Sequence, residues 1–212
     1  MDSARLAELL QPFIAVERLD TGLIQDLQLY LELLQRWNAR VNLTAIRDPA
    51  QIVVRHFGES LFTARVFMHD QQLATAPDTL IDVGSGAGFP GIPIKLVTPL
   101  LHLTLIESQG KKAAFLRELQ RTLSLDRVEV FCGRAEQWKV SADVVTLRAV
   151  ERFDRVLPVA GNLVKPGGTL GLLIGTGQLA GARALISDGW TWSDPLASPC
   201  SRDRVLALAT KQ

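Results

Sequence analysis

The chain has 212 residues, 47% of them apolar and 21% charged, with a net charge of +1. A chain of this length can bury a full core without metal or disulfide help, and its near-zero charge argues against a protein that holds nucleic acid by broad electrostatics. Two cysteines, Cys132 and Cys200, form neither a disulfide framework nor a C-x-x-C pair.

The first helix-like stretch, Met1 to Val16, carries Asp2, Arg5 and Glu8, which does not fit a signal peptide. No apolar run reaches the roughly eighteen residues that span a membrane, and the sparse cysteines fit a reducing, cytoplasmic location. Leu23, Leu27, Leu31 and Leu34 recur at helical spacing, with Tyr30 and Trp37 beside them. Asp20 or Thr21 can cap that helix. Asp48-Pro49-Ala50-Gln51 predicts another helix start, with Asp at the cap and Pro in the first turn. Ile52 to Met68 is apolar on one side, and Asp70 to Asp78 is a polar linker. Residues 1–75 thus form a helical extension, and residues 76–212 a second unit.

From Leu80 the pattern alternates. Strands are expected at Leu80–Val83, Leu101–Ile106, Val128–Phe131, Val144–Leu147 and Thr169–Ile174. Helices are expected between them, at about Pro90–Val97, Lys111–Leu123, Phe153–Leu163 and Gln178–Ser187, with a turn at Lys165–Gly168. Thr191–Ser193 and Val205–Ala209 can close the sheet. Strands alternating with helices imply βαβ units and a mostly parallel sheet, hence an α/β fold.

The first strand runs into "GSGAGFPGIP", residues 84–93. Glycines allow positive φ and close backbone approach. The following helix start offers unpaired N–H groups to an anion. No Lys-Ser or Lys-Thr follows, so this is not a P-loop. Gly86-x-Gly88-x-x-Gly91 matches a dinucleotide fingerprint. Read from Gly84 instead, the spacing is G-x-G-x-G after Asp82, as in methyltransferases that use S-adenosylmethionine. Both readings stay open on the loop alone. Glu107, ending "LTLIE", can accept ribose hydroxyls from either cofactor, and the backbone at Ala135 and Glu136 can hold an adenine edge.

Several stretches together are more specific. "WNARVNLTAI" (37–46), "RHFGESL" (55–61), "DVGSGAGFPGIP" (82–93), "IESQGKKAAFL" (106–116), "GRAE" (133–136), "DVVTLRAV" (143–150) and "LVKPGG" (163–168) stand in the order seen in the GidB/RsmG family. The chain resembles that family over about residues 20 to 175. The resemblance implies a class I, Rossmann-like methyltransferase fold with an N-terminal helical extension. It implies methylation of guanine N7 in bacterial small-subunit ribosomal RNA, within a 30S particle or assembly intermediate, the family's target being guanine 527.

It implies donor contacts at Gly84, Phe89, Ala135, Glu136 and Arg148, beside Asp82, Ser85, Gly86, Gly88 and Glu107 of the loop reading. Arg148, which follows the fourth strand, orients donor or base. RNA-facing roles fall to Asn38, Asn42, Arg55, His56, Lys111, Lys112 and Arg134. No metal is expected. Leu147 stands where the family usually has Ser, and Thr176 where a lysine would fall.

Guanine N7 carries a lone pair and no proton, so its attack needs no general base. The exocyclic-amine motif Asp/Asn-Pro-Pro-Tyr/Phe is missing from "VVTLRAV". Cys132 is expected as a small buried residue and not a nucleophile. Trp37 is expected to pack the helical extension onto the sheet. The rivals are an NAD-dependent oxidoreductase, an RNA- or ribosome-binding module without catalysis, and a small-molecule methyltransferase.

Overall fold

In a computed structural model, which describes residues 1–15, 18–69 and 77–212, one sheet organises the chain. The strands are β1 (Thr79–Val83), β2 (His102–Glu107), β3 (Val128–Cys132), β4 (Ala142–Arg148), β5 (Val164–Gly175), β6 (Trp190–Trp192), β7 (Leu196–Ala197) and β8 (Arg204–Lys211). Their order is β3-β2-β1-β4-β5-β8-β6, with β7 also on β8. β1 to β5 pair parallel, whereas β8 runs antiparallel to β5, β6 and β7.

The helices are α1 (Ser3–Leu10), α2 (Thr21–Val41), α3 (Pro49–Ile52), α4 (Glu59–His69), α5 (Gly91–Val97), α6 (Gly110–Thr122), α7 (Phe153–Asn162) and α8 (Leu179–Leu185). Asp20 caps α2 by accepting from Leu23 N–H, and Asp48 caps α3 by accepting from Gln51 N–H. Asn42 ends α2 in the left-handed region, which a short polar side chain tolerates best after glycine.

Strand residues alternate between two apolar layers, as a sheet covered on both faces requires. Leu80, Leu103, Leu105, Val144, Leu206 and Leu208 join α1, α2, α4, α5 and α6 in one core. Ile81, Val83, Val145, Leu147, Val205 and Ala207 face α7 and α8 in the other. The N-terminal helices therefore join α5 and α6 over one of the sheet's two faces. Gly171 lets Phe67 of α4 press directly on the sheet, since a Cβ there would lie 2.9 Å from that ring.

Four features differ from the sequence reading. The apolar stretch after Ile52 is not one α-helix: Val53–Gly58 is π-helical between α3 and α4. Gly58 admits the Phe13 ring, 2.6 Å from where a Cβ would stand. Lys165–Gly168 is an excursion within β5, where the pairing shifts between Ala142 and Val144. Cys132 is exposed, because β3 is an edge strand. Trp37 packs edge-on against Phe115 of α6 at 5.7 Å and donates to Glu118, so it joins α2 to a covering helix and not to the sheet itself. The linker reading of Asp70–Ala76 and the end of the first helical stretch at Val16 lie outside the described residues. Among the described residues, no helix is long and apolar enough to cross a membrane.

Candidate active site

Strand order reverses at β1, with β2 on one side and β4 on the other. In an open parallel sheet the crevice outside the carboxyl ends of those strands is the ligand site. Register brings Val83 level with Ile106 and Leu147, so Gly84, Glu107 and Arg148 leave the sheet at one level. A cleft of about 510 Å³ opens there. Gly84, Glu107, Ala135 and Glu136 line it, with Lys112, Arg134, Arg152 and Arg155 among the cations on its walls.

The glycine loop is strapped to β2. Gly84 and Ser85 N–H both donate to Ile106 O, at 2.9 and 3.1 Å. Glu107 holds the next turn, one oxygen accepting from Gly86 N–H at 2.9 Å and the other from Gln109 N–H at 2.7 Å. Each carboxylate oxygen carries a second lone pair, left for a ligand hydroxyl in the cleft. Gly84 sits at φ +71°, and a Cβ there would stand 2.6 Å from Val150 Cγ1. A carboxylate on the cleft wall, backbone at Ala135 and Glu136, and a glycine turn at the strand end fit an adenosine carrying a short charged arm.

Gly88 and Gly91 answer to the protein itself. A Cβ on Gly88 would meet the Tyr30 hydroxyl at 2.6 Å, and one on Gly91 would meet Leu105 at 2.8 Å. Gly88, the glycine a dinucleotide would need for its pyrophosphate, is thus filled by Tyr30. Asp82 is also interior. It accepts from Thr146 Oγ1 at 2.9 Å and Gly91 N–H at 3.2 Å. Burial pushes its carboxyl up to about 6, against the opposing hydrogen bonds of Thr146, Gly91 and Ser85. Ser85 donates its hydroxyl to Asp82 O at 2.7 Å. Asp82, Ser85, Gly88 and Phe89 thus lie behind the wall, and Gly86 is partly exposed beside Glu107.

Arg148 does not line the cleft. Its Nη2 donates to Glu59 at 3.0 Å and to Arg55 O, and its Nη1 lies 2.8 Å from His56 Nδ1. A guanidinium cannot accept, so Nδ1 is the acceptor, and His56 Nε2–H donates to Thr44 Oγ1 at 2.8 Å. Burial first, then Arg148, Arg55 and Arg204, lower the His56 pKa to about 3. Glu59 is the hub: Arg148, Arg55 (3.2 Å) and Arg204 (3.4 Å) converge on its buried carboxylate. The Arg55 pair is close but misaligned, leaving Arg55 Nε and Glu59 Oε1 without a hydrogen bond to each other.

The residues expected to face RNA divide. Lys112 and Arg134 line the cleft, Lys111 is exposed at the start of α6, and Asn42 is exposed and accepts from Arg47. Arg55 and His56 are both partly exposed. Asn38 is buried, and its amide closes on Thr44, donating to O at 3.0 Å and accepting from N–H at 2.9 Å. It holds the turn after α2 and does not face solvent. Leu147 is fully buried, and Thr176 is exposed at the head of a short turn. Glu59, Arg204, Tyr30 and Thr146 did not stand out in the sequence. Only Glu59, a carboxylate inside an apolar helical stretch, offered a signal there.

This sheet order, glycine turn and acid at the end of β2 define a class I methyltransferase, whose methyl donor is S-adenosylmethionine. Solved structures agree on the fold. Magnesium protoporphyrin IX methyltransferase from Synechocystis PCC 6803 superposes with a TM-score of 0.64 at 13% identity, covering 86% of this chain and 97% of that one. An O-methyltransferase candidate from Klebsiella pneumoniae gives 0.60 at 17%, covering 86% and 90%. The family GidB, described as rRNA small subunit methyltransferase G, matches residues 23–185. The ribosomal RNA small subunit methyltransferase G of Stenotrophomonas maltophilia (strain K279a) is 42% identical over 169 residues, 79% of this chain and 76% of its own. That of Xanthomonas campestris pv. campestris (strain B100) is 40% identical over 201 residues, 93% and 89%. The chain belongs to this family of S-adenosylmethionine-dependent rRNA methyltransferases.

Proposed function

We propose that the chain methylates N7 of a guanine in small-subunit ribosomal RNA, the position the family resemblance implies being guanine 527. The observation that carries this reading is the state of three groups near the donor loop that could otherwise serve as base or nucleophile. His56 has both nitrogens committed, to Arg148 and to Thr44. Asp82 is shut behind Thr146 and Gly91. Cys132, on the edge strand beside Glu107, is exposed but does not line the cleft. Such a site suits a nucleophile that arrives with a free lone pair and no proton to lose, which guanine N7 is.

The donor, when bound, supplies an electrophilic methyl group. Gly84 and Glu107 would hold its arm and ribose, and Ala135 and Glu136 its adenine. Glu107 fixes loop and ligand together, because the carboxylate that would take the ribose already grips Gly86. Catalysis is then mainly alignment, which can contribute roughly 7–11 kcal/mol. Lys112 and Arg134 at the cleft would steer the RNA backbone. The net charge of +1 favours recognition of a shaped RNA, as in a partly assembled particle, over long-range attraction. That substrate implies a cytoplasmic enzyme.

The test is to methylate small-subunit particles and naked RNA, digest to nucleosides and identify the product by mass spectrometry. N7-methylguanosine on the particle is expected. N2-methylguanosine, 5-methylcytidine or no RNA product refutes the assignment. Equal rates on a short free hairpin refute its particle half.

A further inference from the structure

The donor loop has two anchors. One is Glu107 on Gly86 N–H. The other comes from α2, across 57 residues of sequence: the Tyr30 hydroxyl donates to Ala87 O at 2.5 Å. The Tyr30 ring lies parallel to Phe89 at 5.1 Å, and Phe57 meets both rings edge-on. His56 stacks on Phe89 at 4.9 Å, and the Arg148 guanidinium sits 5.9 Å from the same ring. Gly88 lacks a side chain at the point where a Cβ would stand 2.6 Å from the hydroxyl. One of the loop's three glycines therefore makes room for Tyr30 and not for a ligand.

Ala87 and Tyr30 are both buried, so the Ala87 carbonyl depends on this one donor. Burial, followed by the neighbouring Asp82, raises the phenol pKa well above its ordinary value, and the hydroxyl stays a donor at every working pH. Gly84 on the cleft wall, Gly86 on Glu107 and Ala87 under Tyr30 are consecutive parts of one turn. Releasing Ala87 frees the turn to shift and carries the Glu107 carboxylate with it.

We propose that Tyr30 is a positioning residue for the methyl donor: its hydroxyl on Ala87 and its ring on Phe89 set the turn at residues 84–89 that receives S-adenosylmethionine. The inference uses only the donor half of the site and is independent of which base is methylated.

The test is Tyr30→Phe, which keeps the ring and removes the hydroxyl. Donor affinity is measured by calorimetric titration with S-adenosylmethionine, and stability by urea unfolding without it. Losing one hydrogen bond that matters more in the bound state weakens donor binding roughly tenfold. The donor KM rises in parallel, while the KM for RNA stays within twofold. Combined with Phe89→Leu, the loss is less than additive, since both act through one turn. If Tyr30 only held the fold, free and bound protein would lose the bond equally. An unchanged donor Kd with a lower urea midpoint therefore overturns the proposal, as does a rise confined to the RNA KM. Should Tyr30→Phe fail to fold, Phe89→Leu alone is titrated, and wild-type donor affinity there overturns the proposal.

Discussion

Replacing Glu59 by glutamine removes one negative charge and keeps the side-chain shape. Its carboxylate is 4% exposed, while its partners Arg148, Arg204 and Arg55 are 8%, 19% and 42% exposed. The Arg55 contact is half in water and misaligned, and exposed pairs contribute about 0–1 kcal/mol. Arg148 decides the outcome. Without the carboxylate its guanidinium stays buried beside two other cations and a neutral histidine. Stripping one partner from a buried pair costs about 3–5 kcal/mol. Domains hold only about 5–15 kcal/mol in total. With a urea slope of about 2–3 kcal/mol/M, the midpoint should fall by roughly 1–2.5 M. Urea unfolding followed by tryptophan fluorescence reads this directly. Arg55→Gln is the matched control and should cost under about 1 kcal/mol. A loss below about 1 kcal/mol for Glu59→Gln, or equal losses for the two variants, would refute the assignment of Glu59 as the buried counter-charge.

The remaining predictions concern pH and the loop. His56 is held at about 3, below its ordinary 6.5, so the unfolded chain binds the extra proton between those values and wild type loses stability as pH falls through that window. His56→Gln lacks this loss, so wild type minus variant stability should shrink from pH 6.5 downward; a constant difference would contradict the buried neutral ring. Asp82 has the opposite sign: with a carboxyl raised to about 6, it costs stability as pH rises from 3.8 to 6 and levels off above. Asp82→Asn should flatten that part of the curve, and an unaltered slope in urea titrations across pH 4 to 6 would count against it. Gly84→Ala meets both a positive φ and Val150 at 2.6 Å, the backbone alone costing about 1–2 kcal/mol. Donor binding should be lost in calorimetry and partly restored by adding Val150→Ala; full binding by the single variant would show that the turn yields.

The alternation from Thr79 onward was legible because parallel strands buried on both faces read as short apolar runs separated by helical spacing. The cleft residues Gly84, Glu107, Ala135 and Glu136 were legible because each ends or follows a strand. The Glu59 cluster was not. Arg204 lies 145 residues from Glu59, and an arginine before a strand reads as surface. Arg148 looked like a hand on the donor because its place after β4 is visible in sequence, whereas its commitment to His56 and Glu59 is visible only once α4 and β4 meet. Asn38 and Asn42, near one another in one motif, separate for a local reason: the left-handed turn at Asn42 points one outward and folds the loop back over the other. The two-residue β7 carries too short a pattern to be read at all.

The place of β8 has a consequence for how the protein is made. It is the last strand in sequence, yet it lies inside the sheet between β5 and β6. Its residues fill both apolar layers, Leu206 and Leu208 on one side, Val205 and Ala207 on the other. Arg204 at its start also completes the cluster around Glu59. At about 5–20 residues per second, a ribosome needs roughly 7–29 s to reach Arg204 after Glu59. During that interval the buried glutamate lacks Arg204, and β5, once made, has an open edge. The sheet that carries the donor site is thus continuous from β5 to β6 only once residues 204–211 have filled the gap between them.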